Sequence, residues 1–135
     1  MQFNTQTMKF NHLSFPSRDV PATTAFFETH LGWQATAMGR SRVLKGYGFD
    51  VVIEDAADRP VDWPGNFHIG FELPSLEALR TLYERFQEAG VEFTSDLITH
   101  ERGSRFFCRI PGGVLVEINT REDAAAPFRA GFGLS

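Results

Sequence analysis

The sequence predicts an α+β fold built from two βαβββ modules, one in each half of the chain. Each half begins with an alternating strand, followed by one helix and then by three short strands. The opening strands of the two halves also match, because FNHLSF at 10–15 can be laid over NFHIGF at 66–71. Self-similarity of this kind indicates a duplicated unit.

The first module is predicted as one strand, one helix and three further strands. Alternation in MKFNHLSFP at 8–16 indicates the first strand. Asp19 can cap a helix that runs to about Leu31 and ends at Gly32, and Pro21 suits its first turn. Glycines then separate three short segments with strand character. These segments are 33–38, 41–45 and 47–54.

The second module repeats this order. Residues 67–73 alternate as a strand, and Ser75 can cap a helix that Gly90 ends. Apolar residues at helical spacing support that helix: Leu76, Leu79, Leu82, Tyr83 and Phe86. Three further strands are predicted at 92–95, 105–109 and 114–119. The segment IPGG at 110–113 supplies Pro then Gly for a tight turn of type II between the last two strands.

These boundaries predict a single domain over residues 8–120. Its first module covers 8–55, a connector covers 56–66, the second module covers 67–119, and a C-terminal tail covers 121–135. The connector is too short and too mixed in composition to be a linker between domains. Residues 1–7 are either a loose extension or the product of an alternative start.

Composition excludes several classes of function. A net charge of -4 over 135 residues leaves no basic surface for nucleic acid or for an anionic membrane. The one cysteine, Cys108, excludes an internal disulfide, and we expect it to be a buried free thiol in a reducing compartment. The N-terminal residues contain neither a signal-peptide core nor about 20 consecutive apolar residues. We therefore expect a cytoplasmic protein.

Alternation along the strands also predicts which side chains share a face. Four strands have one apolar face, which the two helices must cover, and one polar face, which lines a cleft or meets solvent. The notable residues on the polar faces are His12, Glu54, His68 and Glu117. Laying VVIED at 51–55 over VLVEI at 114–118 superimposes Glu54 on Glu117. Two neutral imidazoles and a carboxylate are the donor set of mononuclear Fe, Mn, Ni or Zn sites.

At these residues the chain resembles the glyoxalase, bleomycin-resistance and dioxygenase superfamily, also called the vicinal oxygen chelate (VOC) superfamily. FFETHLGW at 26–33 resembles its first helix, and RIPGGVLVEINT at 109–120 resembles its closing hairpin. The resemblance covers roughly 8–120 and implies a glyoxalase-like fold, a curled mixed sheet (a cup) with helices on its outer face. It implies metal ligands on the first, fifth and eighth strands, which here are His12, His68 and Glu117.

Individual branches of this superfamily fit unevenly. In the glyoxalase I branch a glutamate on the fourth strand is a fourth ligand, so Glu54 is a candidate fourth ligand or base. The segment at 109–120 also resembles the closing strands of ring-cleaving dioxygenases. Fosfomycin thiol transferases are disfavoured, because the tyrosine of their seventh strand corresponds to Phe107 here.

We therefore expect a homodimeric enzyme of the lyase, isomerase or dioxygenase type, acting on a small oxygen-bearing substrate through chelation by one divalent metal ion. The alternative is a metal-free protein that sequesters a drug, as in the bleomycin-resistance branch. His30 is expected to cap the C-terminal end of the first helix, where an imidazolium interacts favourably with the helix dipole, rather than to act in catalysis. His100 and Arg102 are expected in a loop, where they either meet solvent or contact an anionic substrate.

Overall fold

The computed structural model describes residues 1–46 and 48–130 and confirms the α+β class. The chain forms two compact units, one from Met1 to Asp62 and one from Trp63 onward, each with its own mixed sheet. Tyr47, the predicted start of the fourth strand, and residues 131–135 of the predicted tail lie outside the described residues. None of the helices in the described part of the chain is long and apolar enough to cross a membrane.

The first unit is a four-stranded sheet with one helix packed on it. Strand β1 pairs in parallel with β4, and β2 and β3 complete the sheet in the order β1-β4-β3-β2 by antiparallel pairing. The elements are β1 (His12–Ser17), α1 (Val20–Leu31), β2 (Gln34–Met38), β3 (Ser41–Gly46) and β4 (Phe49–Asp55).

Helix α1 begins and ends where the sequence predicts. The Asp19 side chain accepts a hydrogen bond from the backbone N–H of Ala22, at 3.0 Å. Gly32 ends the helix in the left-handed conformation, with φ of 72°, which glycine adopts without a steric cost. Phe27 on the buried face is fully inaccessible to solvent and packs against Phe15 of β1. The apolar face predicted for β1 is thus covered by α1.

The second unit pairs its strands in the order β5-β9-β8-β6, with β7 also on β8. Strands β5 and β9 are parallel and the other pairs are antiparallel. The elements are β5 (His68–Leu73), α2 (Leu76–Glu88), β6 (Glu92–Phe93), β7 (Ile98–His100), β8 (Gly103–Arg109), β9 (Leu115–Thr120) and α3 (Ala126–Ala130).

Helix α2 and the β8–β9 turn also confirm their sequence signals. The Ser75 hydroxyl accepts a hydrogen bond from the N–H of Ala78 at 3.0 Å and caps the helix. In the turn, the Gly113 N–H donates to the Ile110 carbonyl at 2.9 Å, and Gly112 has the positive φ, 95°, that a type II turn requires.

Two elements differ from the sequence prediction. Strand β7 lies where a loop was expected, and it contains His100, whereas Arg102 follows it in the turn to β8. Helix α3 forms within the predicted tail, where Asp123 accepts hydrogen bonds from the N–H and hydroxyl of Ser104. Strand β7 depends on its pairing with β8, and Asp123 binds the tail to β8 before α3 begins. Short-range sequence patterns do not encode such contacts.

The strand register corrects the predicted superposition of Glu54 on Glu117. In the parallel pairs, His12 lies opposite Asp50, and His68 lies opposite Leu115. Counting two residues along each strand makes Val52 the counterpart of Glu117, and Glu54 the counterpart of Asn119. The predicted overlay was wrong by two residues, a shift that leaves every side chain on its predicted face and is therefore invisible in the alternation pattern.

Candidate metal centre

All six residues of strand β9 are buried, and the strand lies between β5 and β8 in its sheet. One face packs into the core through Val116 and Ile118, both fully buried. The other face carries Glu117 and Asn119, which are 8% and 5% exposed. A carboxylate in such surroundings requires compensating partners, because burial removes the water that would otherwise stabilise its charge.

His68 and Glu117 are brought together on this polar face. The Nε2 atom of His68 lies 3.8 Å from the Oε1 atom of Glu117. On β5, Gly70 lies directly opposite Glu117 in the register and has no side chain that could cover the carboxylate. A Cβ atom added to Gly70 would lie 3.8 Å from Oε2 of Glu117, in ordinary contact distance.

The imidazole of His68 is oriented by a backbone carbonyl. Its Nδ1 atom lies 2.9 Å from the carbonyl oxygen of Asn66, and because that oxygen can only accept, Nδ1 carries the proton. In the neutral ring, Nε2 then has a free lone pair directed to Glu117. The ring edge of Phe107 packs against the imidazole, with centroids 5.3 Å apart.

One carboxylate oxygen of Glu117 accepts a hydrogen bond, and the other has no hydrogen-bond donor among the described residues. The side-chain amide of Asn119 donates to Oε2 at 2.5 Å, while Oε1 faces His68. The 3.8 Å separation between Oε1 and Nε2 is longer than a hydrogen bond. Two electron-pair donors thus face each other across a gap that suits a shared cation.

These two side chains fit a divalent metal ion. Bonds of about 2.0 to 2.2 Å to nitrogen and oxygen allow two ligands of one ion to be up to roughly 4.3 Å apart. The observed 3.8 Å lies within that limit. The outer hydrogen bonds, from Nδ1 to a carbonyl and from an amide to the carboxylate, are those that orient metal ligands in proteins.

His12, the third predicted ligand, belongs to the first unit and lies at the start of β1. It is exposed, and its Nδ1 atom lies 2.6 Å from the side-chain oxygen of Asn11. An amide oxygen can only accept, so Nδ1 again carries the proton and Nε2 is left with its lone pair. His12 and His68 therefore share the tautomer that suits metal binding.

Glu54, the predicted fourth ligand or base, is bound to a neighbouring hydroxyl. Ser14 donates a hydrogen bond to Oε1 of Glu54 at 2.7 Å, and both residues are exposed on the polar face of the first sheet. Glu54 is four positions along β4 from Asp50, the residue opposite His12. That separation corresponds to about 13 Å along the strand.

Taken one at a time, neither unit brings three or more His, Cys, Asp or Glu side chains into a metal-binding group among its described residues. The second unit contributes the pair of His68 and Glu117, and the participation of His12 stays a prediction. His30 packs on Phe26 in the last turn of α1, with ring centroids 4.9 Å apart. The Nδ1 atom of His100 accepts from the N–H of Arg102 at 3.3 Å in the turn after β7.

Sequence reasoning missed the residues that surround the pair. On β9, Asn119 shares a face with Glu117. On the neighbouring strand β8, Phe107 lies opposite Glu117 and Arg105 lies opposite Asn119. Alternation could have placed Asn119 on the face of Glu117, since the two are two residues apart. The β8 residues could not be assigned in this way, because Phe106 and Phe107 are both apolar.

Comparison with known protein families gives one match that covers most of the chain. A model of the Glyoxalase/Bleomycin resistance protein/Dioxygenase superfamily matches residues 9–118. No curated protein matches the chain.

Solved structures with similar folds cover most of the chain. A possible glyoxalase from Bacillus cereus aligns with a TM-score of 0.74 and 24% identity, over 83% of this chain and 98% of the other. A glyoxalase/bleomycin resistance protein/dioxygenase from Alicyclobacillus acidocaldarius aligns with a TM-score of 0.64 and 26% identity, over 85% and 92%. Lactoylglutathione lyase from Agrobacterium tumefaciens aligns with a TM-score of 0.69 and 15% identity, over 83% and 92%.

Proposed function

The chain belongs to the glyoxalase/bleomycin resistance protein/dioxygenase superfamily, and we propose that it is a mononuclear metal-dependent enzyme. In this proposal His12, His68 and Glu117 hold one divalent ion, and a small substrate binds the ion through two neighbouring oxygen atoms. The observation that carries the proposal is the pair of free donor atoms, Nε2 of His68 and Oε1 of Glu117, facing each other at 3.8 Å.

The strand register favours three protein ligands over four. Val52 is the counterpart of Glu117 in the first unit and cannot bind a metal, while Glu54 lies two residues farther along β4. Two imidazoles and one carboxylate leave open coordination positions, as in oxygen-activating Fe(II) sites. Of the reaction types that the superfamily includes, we therefore propose the dioxygenase type first and the lyase or isomerase type second.

Each protein group has a separate role in this proposal. A bound divalent cation supplies Lewis-acid stabilisation of negative charge that develops on two vicinal oxygens. Asn119 orients the Glu117 carboxylate, and the Asn66 carbonyl maintains the His68 tautomer. Glu54 is proposed as a base that moves a proton, with Ser14 as the hydrogen-bond donor that orients its carboxylate.

We also propose that the protein acts as a cytoplasmic homodimer. Cys108, the one cysteine of the chain, is unpaired and buried, which agrees with a reducing compartment. Phe3, Met8 and Phe10 are 68%, 62% and 72% exposed and are candidates for burial against a second copy. Light scattering at several concentrations tests this expectation, since a strictly monomeric protein would contradict it.

Elemental analysis of protein purified without chelator tests the metal proposal. We expect about one divalent ion per chain, and a loss of binding when His12→Ala, His68→Ala or Glu117→Gln removes a donor. His100→Ala is the matched control, because it removes an exposed imidazole that accepts a local backbone hydrogen bond. Retention of metal by all three ligand variants would exclude the proposed site.

The same preparation distinguishes the alternative function. A wild-type protein without metal, which takes up none from Fe(II), Mn(II), Ni(II) or Zn(II) solutions and still binds aromatic ligands, would favour drug sequestration. If metal binds, Glu54→Gln tests the base. We expect it to lower kcat and to leave metal content unchanged, because Glu54 is not one of the three ligands.

A further inference from the structure

Arg105 lies on the polar face of the second sheet, next to the His68–Glu117 pair. Its neighbour Phe106 is fully buried and packs on Phe86 of α2, so the Phe106 side chain occupies the core face of β8. Side chains alternate along a strand, and Arg105 and Phe107 therefore occupy the opposite face. The contact of Phe107 with the imidazole of His68 agrees with this assignment.

The guanidinium group of Arg105 has no partner within the described residues. Its Nε atom is buried without a hydrogen-bond acceptor, and no carboxylate there forms an ion pair with it. A buried donor without an acceptor is unfavourable, because it loses its hydrogen bond to water. The remaining arginine on this face, Arg109, donates instead to the carbonyl of Gly113 at 2.8 Å.

Asn119 lies directly opposite Arg105 in the β8–β9 register and carries an unpaired acceptor. Its amide nitrogen donates to Glu117, whereas its oxygen, Oδ1, is buried and receives no hydrogen bond from any described residue. A cationic donor and a neutral acceptor are thus left unsatisfied side by side. Native proteins rarely leave such groups unpaired, and two adjacent ones indicate a missing ligand.

The acidic groups near Arg105 do not neutralise it. Glu72 lies opposite Asn119 in the β5–β9 register, and Glu117 is two residues before Asn119 on β9. Neither carboxylate forms an ion pair with Arg105 in the described structure, and one oxygen of Glu117 is already bonded to Asn119. We infer that the partner of Arg105 is an anion from outside the described residues.

We propose that Arg105 and Asn119 form a subsite for a small organic acid that carries a hydroxyl group. The acid's carboxylate accepts hydrogen bonds from the Arg105 guanidinium, and its hydroxyl donates to Oδ1 of Asn119. Phe107, beside Arg105 on the same face, provides an apolar surface for an aryl group on the acid. This subsite rests on the proposed function in one respect, namely that the acid is the substrate of the metal enzyme.

Binding of three matched compounds to metal-free protein tests the subsite. Mandelate has the carboxylate, the hydroxyl and the aryl ring, phenylacetate lacks the hydroxyl, and 1-phenylethane-1,2-diol lacks the charge. Titrations followed by two-dimensional NMR should give mandelate the highest affinity, by about tenfold or more over each of the other two. Equal affinities for mandelate and phenylacetate would exclude the role of Asn119.

The variant Arg105→Gln tests the arginine. Mandelate affinity should fall by about tenfold or more, while Arg80→Gln, at an exposed position on α2, should leave it unchanged. In the absence of ligand, Arg105→Gln should raise Tm, because it removes an unpaired and partly buried charge. A structural arginine would show the opposite change in Tm. Arg105→Lys serves if the glutamine variant does not fold, and it should also weaken mandelate binding, since lysine lacks the planar donor pair.

Metal binding by the same variants separates this inference from the proposed function. Wild-type protein that binds metal but not mandelate, or Arg105→Gln that binds mandelate as wild type does, overturns the subsite and leaves the metal proposal intact. If the protein binds mandelate through Arg105 but takes up no metal, the subsite is supported and the proposed metal-dependent function is contradicted.

Discussion

The Nε2 atom of His68 lies 3.8 Å from Oε1 of Glu117, and each side chain has its other polar atom bound elsewhere. The Asn66 carbonyl accepts from Nδ1 of His68, and the Asn119 amide donates to Oε2 of Glu117. These outer bonds direct the two free donor atoms at each other. The orientation of the two side chains therefore depends on residues outside the pair, and substitution of such a residue should change metal affinity.

Asn119→Ala should weaken metal binding without removing a ligand. The variant leaves Oε2 of Glu117 buried and unbonded, so we expect metal affinity to fall by about 10- to 100-fold. The free energy of unfolding should also fall, by about 1 to 3 kcal/mol. Calorimetric titration with metal and urea denaturation measure the two effects.

Asn66→Ala is the matched control for that variant. His68 is held by the backbone carbonyl of Asn66, which the substitution retains. Metal affinity should consequently remain close to that of the wild type. A loss as large as that of Asn119→Ala would mean that the outer bonds do not determine the site.

Phe106→Ala and Phe107→Ala should have different effects although the residues are adjacent. Phe106 is fully buried and packs on Tyr83, Phe86 and Phe93, so its removal should lower stability by about 3 to 5 kcal/mol. Phe107 is half-buried against His68, and its removal should cost no more than about 2 kcal/mol but should weaken metal or ligand binding. Denaturant unfolding and metal titration of both variants check this, and similar losses of stability would contradict the face assignment.

Cys108 should make the protein less stable at high pH. Burial raises the pKa of its thiol from 9.0 to about 12, because the thiolate is unfavourable in an apolar interior. The unfolded chain loses this proton near pH 9 and the folded chain retains it to about pH 12. The stabilisation is thus fully present below pH 9 and is lost as pH rises to 12, by roughly 4 kcal/mol at most.

Urea denaturation between pH 8 and 11 measures this effect when Cys108→Ala is compared with the wild type. The wild type should lose more stability over this range than the variant, because only the wild type has the thiol. The native thiol should also react with a thiol reagent only after unfolding. Parallel pH profiles for the two proteins would show that the thiol is not protected by the fold.

Gly103→Ala and Gly90→Ala should differ strongly although both glycines have positive φ. At Gly90, with φ of 73°, an added Cβ meets no atom within 4 Å, and the cost should be about 1 to 2 kcal/mol. At Gly103, with φ of 106°, the added Cβ would overlap the carbonyl oxygen of Thr120. The loss there should be roughly 3 kcal/mol or more. Thermal unfolding of both variants tests the close approach of β8 to the end of β9.

The sequence by itself determined the order of the main elements and the faces of the strands. The helix caps at Asp19 and Ser75 were correctly predicted, because a cap depends on residues within one helical turn. The polar, exposed strand faces on which His12 and His68 lie were predicted as well, since alternation along a strand is a local property.

The tertiary structure alone decided how the strands align and which polar groups meet. A shift of two residues preserves the alternation of a strand, so only the pairing with β1 could show that Val52, and not Glu54, is the counterpart of Glu117. The same holds for the bond between Asn119 and Glu117 and for the buried Nε atom of Arg105, which has no acceptor in the described part of the chain. These features depend on neighbours that are distant in the chain, and local sequence patterns do not contain that information.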